Sequence, residues 1–312
     1  MSLLTIGLKT LTKIVKPEIV KATLALTWRC NHSCLTCNIW HDQREGNELT
    51  TDEVKNIIER NKLLWFAITG GEAFLRSDIA EIMRMALLKY PSVSITTNGS
   101  QPQKIEKAVS HALKNTKNIL AVNISLDGDK EQHDRFTGRE GSFERVTETV
   151  GRLIRLNNKR LKLTIENLVS ASTHDGIEWV KEYAKANKIS LAYTIEMRSD
   201  FYRNMDMEIK ENTIPDVSWD WRNPFNYLYI RQAKRNKPVR CVAGQYDCAI
   251  IPDGFVKPCW FVNKQAYNIR DTDYQIIPLG CEDVVSVCNE LGSCWTPCSA
   301  YPTMIFRPWR VL

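Results

Sequence analysis

Short apolar segments alternate with amphipathic ones through the first two thirds of the chain. The apolar segments predict six β-strands, and the amphipathic segments predict helices between them. We expect strands over residues 22–27, 65–69, 92–97, 120–125, 161–169 and 190–196. We expect helices over about residues 51–61, 78–90, 103–115, 142–156 and 175–187. This order is typical of an α/β fold with a parallel sheet and helices outside it.

Three further features refine this fold class. The strands show little alternation, which indicates a sheet that is buried on both faces. Thr50 and Glu53 have the spacing of a capping box, so the first helix should begin there. Six strand–helix units fall short of the eight of a closed barrel. We therefore predict a partial (β/α)6 TIM-like barrel, open on one side and followed by a cysteine-rich C-terminal extension.

The same pattern suggests four regions. Residues 1–21 form an N-terminal helical segment, residues 22–200 the partial barrel, residues 201–240 a connector and residues 241–312 the cysteine-rich domain. The first segment has apolar and basic residues at roughly helical spacing. We favour a helix packed on the domain over one lying on an anionic membrane, because Gly7 and several threonines weaken it.

The other elements outside the barrel are short. The connector should hold one helix over about residues 225–236. The cysteine-rich domain should begin with a hairpin between Cys248 and Cys259, turning at Asp253–Gly254.

Composition excludes several classes of protein. The chain has 312 residues, 43% of them hydrophobic, which is enough for a large core. Its net charge of +6 is modest and fits an anionic substrate or an acidic electron donor. No basic-aromatic segment indicates nucleic-acid binding. The sequence shows neither a secretory signal nor an apolar run of about 20 residues, so we expect a cytoplasmic protein.

Ten cysteines are the strongest chemical signal. In a reducing cytoplasm they are more typical of metal sites than of disulfides. Cys30, Cys34 and Cys37 lie in one short loop directly after the first strand. Complete structural zinc and iron–sulfur sites normally take four protein ligands. Three cysteines therefore suit a four-iron cluster in which one iron stays open for a small molecule.

Polar motifs follow the next three strands. These are Gly70-Gly71-Glu72, Asn98-Gly99 and the segment from Ser125 to Gly128. Alone, each has a simpler interpretation as a turn. They lie, however, at the carboxyl ends of parallel strands, where α/β folds bind their ligands. With the three-cysteine loop, this order of motifs resembles the radical S-adenosylmethionine (SAM) superfamily over about residues 22–196.

The resemblance implies a cofactor set. Cys30, Cys34 and Cys37 would hold a [4Fe–4S] cluster whose open iron binds the amino and carboxylate groups of SAM. An electron, from a donor such as ferredoxin or flavodoxin, would cleave SAM to a 5′-deoxyadenosyl radical that abstracts a substrate hydrogen. The cofactor-binding residues would be Gly70, Gly71, Glu72, Asn98 and Ser125. No catalytic residue is assigned.

The sequence departs from the family pattern in places. Ala73 stands where proline is usual, and Thr36 stands where an aromatic residue is usual. Trp40 could cover the adenine instead, although core packing is the simpler role. Arg135 could pair with the methionine carboxylate, or be a solvated loop charge. His133 is expected to be a structural loop residue.

The C-terminal cysteines resemble the SPASM and Twitch extensions, which hold auxiliary iron–sulfur clusters. The resemblance implies a first auxiliary cluster on Cys241, Cys259 and Cys298, with Cys248 as the fourth ligand. Cys281, Cys288 and Cys294 would then hold a second cluster, with an open site or a non-cysteine ligand. The alternatives are one Twitch-like cluster with the remaining cysteines packed in the core, zinc, or no metal.

The predicted function is a radical SAM enzyme that modifies a peptide or protein. The alternatives are oxidation or rearrangement of a small molecule or sugar and, less favoured, lipid chemistry at a membrane surface. Only about twenty residues precede the first strand, which weakens the case for binding a leader peptide. A zinc-binding module without catalytic activity is the rival from another class.

Overall fold

One sheet runs through the molecule. The computed structural model describes residues 18–41, 47–199, 201–206, 214–216, 224–235, 242–262 and 265–279. The strands are β1 (Lys21–Ala25), β2 (Trp65–Thr69), β3 (Ser92–Thr97), β4 (Ile119–Ser125), β5 (Leu161–Val169), β6 (Ser190–Ile195), β7 (Asp247–Ile250), β8 (Phe255–Lys257) and β9 (Tyr267–Asn268). The helices are α1 (Thr51–Arg60), α2 (Ile79–Lys89), α3 (Pro102–Leu113), α4 (Lys130–Thr137), α5 (Ser142–Arg155), α6 (Ile177–Ala186) and α7 (Pro224–Lys234).

The barrel strands follow the chain order. The sheet order is β6-β5-β4-β3-β2-β1-β7-β8-β9, and β1 to β6 are parallel to their neighbours. Within the described residues, β6 does not pair with β9, so the sheet does not close. The predicted partial barrel is therefore confirmed, and the six predicted strands are all present within two residues of their expected ends.

The first helix begins where its sequence requires. The backbone N–H of Glu53 donates to Thr50 Oγ1 at 3.3 Å, and the backbone N–H of Thr50 donates to Glu53 Oε2 at 2.8 Å. This is the predicted capping box, which satisfies two backbone donors that the helix itself cannot. Val54, Ile57 and Ile58 form the buried face of α1.

The two faces of the sheet differ. Helix-facing side chains such as Leu24, Phe66 and Ile95 join the helices in the main apolar core. Side chains on the barrel side are more polar, and Thr23 and Ser94 line a cavity there. The burial of β4 accordingly alternates along the strand. The expectation of strands without alternation is therefore wrong for β4, because this barrel encloses a polar cavity.

The cysteine-rich region begins as a continuation of the barrel. β7 adds to the free edge of β1 as a seventh parallel strand, with Ile250 opposite Leu24. β7 and β8 form the predicted antiparallel hairpin, and Gly254 has the positive φ of 87° that its turn requires. The sequence did not predict that this hairpin shares the main core with the barrel.

Helix α4 was also missed. The sequence suggested a charged loop there, since Phe136 is its one large apolar residue. The helix is held by its ends. Asp129 caps it by accepting from the backbone N–H of Gln132, and Gly138 ends it in a left-handed conformation with φ 62°.

Some predictions lie outside the described residues. These include most of the N-terminal segment and the cysteines Cys241, Cys281, Cys288, Cys294 and Cys298. Among the helices that are described, none combines the length and the apolar character needed to cross a bilayer.

Candidate functional site

Three thiols meet at a cavity at the carboxyl ends of the barrel strands. Cys30, Cys34 and Cys37 are partly buried and line a cavity of about 360 Å³. Burial raises the pKa of the Cys30 thiol to about 11 and that of Cys37 to about 12. Burial and the neighbouring cysteines also raise the pKa of Cys34. The protein itself thus does little to stabilise thiolates, so a bound cation would have to stabilise them and displace their protons.

The cysteine loop rests on the end of α4. The backbone N–H groups of Ser33 and Leu35 donate to the carbonyls of Thr137 and Phe136, at 2.9 and 3.0 Å. Gly138 has φ 62°, and a Cβ there would lie 2.3 Å from Ser33 Oγ and 3.0 Å from the Ser33 carbonyl oxygen, so glycine suits this close approach. Helix α4, which the sequence did not reveal, therefore sets the position of the loop.

Gly70 and Gly71 line the cavity, but another contact requires them. A Cβ on Gly71 would lie 2.1 Å from the carbonyl oxygen of Arg29, and Gly70 has φ 137°. The backbone N–H groups of Gly71 and Glu72 donate to the carbonyls of Thr27 and Arg29, both at 2.8 Å. The two glycines thus bring the end of β2 against the segment that leads into the cysteine loop.

Glu72 is held firmly behind this wall. Its side chain is 1% exposed, and burial raises the pKa of the carboxyl. Oε1 accepts from Phe74 N at 3.0 Å and from Thr97 Oγ1 at 2.9 Å, while Oε2 accepts from Asn98 N at 2.7 Å. Oε2 therefore keeps acceptor capacity for a further donor. Glu72 is not among the residues that line the cavity.

Asn98 links the end of β3 to the cysteine loop. Its Nδ2 donates to Asn31 Oδ1 at 2.9 Å, and its Oδ1 accepts from the backbone N–H of Ser100 at 3.0 Å. The second bond is a turn contact of the kind that asparagine often makes. Asn98 also lines the cavity, so both interpretations of this residue match its position.

The far wall of the cavity carries hydroxyl and carboxyl groups. Ser125 lines it at the end of β4, and Glu166 lies opposite Ser125 on β5. Burial raises the pKa values of Asp127 and Glu166 to about 7, and the Asp127 carboxyl adds to the rise at Glu166. Sequence reasoning missed Glu166 and Glu196, which both line the cavity. The available signal was a charged residue at the centre or end of a predicted buried strand.

A chain of two histidines and a serine lies beside the cysteines. Ser142 Oγ is 3.4 Å from His32 Nε2 and 3.2 Å from His133 Nε2. The backbone N–H of Asp127 lies 3.2 Å from His133 Nδ1. Burial lowers the pKa of both histidines to about 4. His133 is therefore a buried helix residue, and the expectation of a loop histidine is wrong in its location.

Aromatic side chains cover another side of the cysteines. Trp28, Phe201 and Trp260 form an apolar cluster against which Cys30 and Cys37 pack. The ring centroids of Phe201 and Trp260 are 4.5 Å apart. This cluster shields part of the cavity from water.

The structure shows where the residues that depart from the family pattern lie. Thr36 lines the cavity, whereas Trp40 stacks on His41 with ring centroids 3.6 Å apart and is not a lining residue. Arg135 is exposed on α4 and also does not line the cavity, which favours the solvated alternative. Thr137 is buried and does line it.

Two of the seven C-terminal cysteines are described. Cys248 is 3% exposed within the main core, and Cys259 is 6% exposed in a separate cluster with Ala243 and Val262. The structure therefore does not place this pair in one cluster of side chains. The position of Cys248 is typical of a packed core cysteine, an alternative that the sequence left open.

The cysteine loop does not form a compact site for one ion. Within the described ranges, no group of three or more His, Cys, Asp or Glu side chains is arranged to hold a single metal ion. Cys30 and Cys37 nevertheless help to raise the pKa of Cys34, and Cys30 helps to raise that of Cys37, across the same cavity. The cavity combines these thiols with hydroxyl, amide and carboxyl groups, so its donor set fits an iron–sulfur cluster beside a polar organic cofactor.

Comparisons with known proteins agree with this geometry. Residues 24–169 match the model of the Radical SAM superfamily. The chain is 26% identical over 283 residues to the antilisterial bacteriocin subtilosin biosynthesis protein AlbA of Bacillus subtilis, covering 84% of this chain and 60% of AlbA. It is 28% identical over 263 residues to a probable GTP 3′,8-cyclase of Methanocella arvoryzae, covering 79% of this chain and 83% of that protein.

A solved structure shares the fold. The crystal structure of Streptococcus suis SuiB matches with a TM-score of 0.59 and 17% identity, over 88% of this chain and 70% of SuiB. The matched superfamily implies a [4Fe–4S] cluster and SAM, and the three thiols and polar strand ends fit both. Residues 24–169 of this chain are therefore similar to the Radical SAM superfamily.

Proposed function

We propose that this protein is a radical SAM enzyme that modifies a peptide. The observation that carries the proposal is the convergence of Cys30, Cys34 and Cys37 with Gly70 and Gly71 on one buried cavity. These thiols would hold the cluster, and the wall that includes Asn98 and Ser125 would contact SAM. When bound and reduced, the cluster would supply the electron for reductive cleavage of SAM, the chemistry by which a hydrogen atom would be taken from the substrate.

The chain's own residues orient and shield the cofactors. Glu72 fixes the end of β3 from behind the cavity wall, because its Oε2 accepts from the backbone N–H of Asn98. The Ser125 hydroxyl has no hydrogen-bond partner among the described residues and lines the cavity, so it is available to the ribose. The aromatic cluster of Trp28, Phe201 and Trp260 limits the access of water to the cysteines.

Anaerobic reconstitution tests the enzyme proposal. The full chain, loaded with iron and sulfide and then given dithionite and SAM, should release 5′-deoxyadenosine, measured by chromatography and mass spectrometry. Replacing Cys30, Cys34 and Cys37 by alanine should abolish the product. Leu35→Ala is a matched control, because Leu35 lies in the same loop with its side chain 48% exposed. Fully loaded parent protein that yields no 5′-deoxyadenosine would refute the proposal.

A peptide substrate is supported by the match to AlbA, a bacteriocin biosynthesis protein, although the chain spans 60% of its length. The walls of the cavity also carry Glu166 and Glu196, which would suit a substrate with ammonium or amide groups. The test is incubation with SAM and a short peptide encoded beside this chain's gene. A change in the mass of the peptide that requires SAM is the expected result.

Small-molecule chemistry is the second candidate. The match to the probable GTP 3′,8-cyclase covers 83% of that protein, whereas the match to AlbA covers 60% of AlbA. This greater coverage is the observation that supports a small-molecule substrate. Incubation with GTP and SAM, followed by mass spectrometry of the nucleotide, separates the two candidates. Turnover of GTP with no change in the peptide would overturn the peptide assignment.

We also propose that the C-terminal region is a SPASM- or Twitch-like domain within residues 241–312. Iron analysis of the variant that lacks Cys30, Cys34 and Cys37 measures the iron held elsewhere, at about four irons for each further [4Fe–4S] cluster. Cys248→Ala then tests this cysteine alone. Unchanged iron would assign Cys248 to the core, and a loss would make it a ligand. Ferredoxin or flavodoxin is the proposed electron donor, to be tested in place of dithionite.

A further inference from the structure

We propose that His32 is a positioning residue whose Nδ1–H donates a hydrogen bond to a sulfur of the cluster held by Cys30, Cys34 and Cys37. This contact would raise the reduction potential of the cluster. The inference rests on the proposed function, since it requires the cluster to be present.

The location of His32 suits this role. It lies inside the cysteine loop, two residues from both Cys30 and Cys34. Its side chain is 3% exposed and lines the same cavity as the three thiols. Nδ1 is buried and has no hydrogen-bond partner among the described residues. Buried polar groups are normally satisfied, so an orphaned ring nitrogen beside a cofactor site indicates a missing partner.

The backbone N–H of Asp127 determines which atoms donate in the hydrogen bonds that link His133, Ser142 and His32. The N–H of Asp127 can only donate, and it lies 3.2 Å from His133 Nδ1. Nδ1 of His133 must therefore accept and carry no proton. The proton of that ring is then on Nε2, which lies 3.2 Å from Ser142 Oγ and donates to it.

Ser142 in turn determines which ring nitrogen of His32 carries the proton. Once Ser142 Oγ accepts from His133, its own proton remains to be donated. Among the described residues, the acceptor placed for that proton is His32 Nε2, at 3.4 Å. With Nε2 accepting, the proton of His32 lies on Nδ1, the nitrogen that has no described partner. The chain thus makes the orphaned atom a donor.

A cluster provides acceptors for such a donor. Its sulfides and cysteine thiolates are negatively charged, and hydrogen bonds to these sulfurs are one of the factors that set the reduction potential. Residues that contact ligands in this way tune a metal site without binding the metal. Because the reduced cluster carries one more negative charge, the donor stabilises it more than the oxidised cluster. Loss of His32 should therefore make reduction harder.

Redox titration followed by electron paramagnetic resonance measures this effect on the reconstituted full chain. In His32→Leu, the ratio of reduced to oxidised cluster at a fixed potential should fall about tenfold, equal to about 59 mV for one electron. His32→Gln keeps an N–H donor and should recover part of the shift. Ser142→Ala frees the tautomer of His32 and should give a smaller shift in the same direction. Leu35→Ala controls for changes in the loop.

Nitrogen-15 NMR of the metal-free chain tests the tautomer independently. The expected result is a protonated Nδ1 in His32 and a protonated Nε2 in His133. A protonated Nε2 in His32 would overturn the inference, as would an unchanged potential in His32→Leu with full iron content. If the parent chain takes up no iron at Cys30, Cys34 and Cys37, the proposed function fails, and this inference fails with it. A cluster that assembles with an unchanged potential removes the inference alone.

Discussion

The buried His133 should make the stability of the folded protein depend on pH in a specific way. Burial lowers the pKa of this histidine from 6.5 to about 4. The unfolded chain therefore binds a proton in a range where the folded chain does not. Stability rises with pH wherever the unfolded state binds more protons. The contribution of His133 is thus complete above pH 6.5 and is lost as the pH falls toward 4.

The magnitude follows from these two pKa values. Between pH 7 and pH 5, protonation of the unfolded state alone should remove about 2 kcal/mol of unfolding free energy. Other groups act in the opposite direction, since burial raises the pKa of Asp127 and of Glu166 to about 7. Both carboxyls are easier to protonate in the folded state than in the unfolded state. Their protonation therefore stabilises the folded protein as the pH falls. The net pH profile of the parent chain therefore does not isolate the histidine.

A comparison of variants isolates it. Urea unfolding of the metal-free chain and of His133→Gln, at pH 7 and pH 5, gives four unfolding free energies. From pH 7 to pH 5, the variant should gain about 2 kcal/mol relative to the parent, because it lacks one group that protonates only on unfolding, whereas His32, with a pKa also lowered to about 4, is present in both. His111→Gln, at an exposed histidine on α3, controls for the loss of an imidazole. Parallel pH dependence in the parent and His133→Gln would refute the reasoning.

Three other substitutions test the supports of the site. Gly71→Ala would place a Cβ 2.1 Å from the carbonyl oxygen of Arg29, so urea unfolding should show a loss on the order of 3 kcal/mol, and iron loading should fall. Thr50→Ala removes half of the capping box and should cost about 1 kcal/mol by the same assay, with iron loading kept. Asp134→Ala removes an acceptor of two backbone N–H groups, each at 2.8 Å, at the start of α5. It should cost about 2 kcal/mol, and Asp134→Asn less. Unchanged unfolding midpoints would contradict each of these expectations.

Local pattern was enough for the barrel elements. The strands at residues 65–69, 92–97 and 161–169 have the predicted bounds because apolar runs and flanking turn residues coincide there. Helix α4 escaped prediction because its stability comes from caps and from contacts with the cysteine loop, not from an apolar stripe. Strand β7 was expected within a hairpin, but its pairing with β1 joins segments that are more than two hundred residues apart.

The candidate site was also predicted only in part from the sequence. The spacing of Cys30, Cys34 and Cys37 and the polar motifs at the strand ends were enough to name a chemistry, because parallel strands bring their carboxyl ends to one edge. The sequence assigned the two glycines to a cofactor approach, while the structure shows that the contact of Gly71 with Arg29 already requires glycine. Glu166 was missed because the sequence does not show which face of β5 lines the cavity. The pairing of β5 with β4 decides that face.

By itself, the sequence determined the order of strands and helices, the start of α1 and the group of thiols in one loop. Each of these depends on residues that are near one another in the chain. Only the tertiary structure decided how that loop is supported. His32 and Ser142 are 110 residues apart, and their contact depends on where α5 packs beside the barrel. Hydrogen-bond direction, burial and pKa arise from such distant contacts, so no local pattern in the sequence records them.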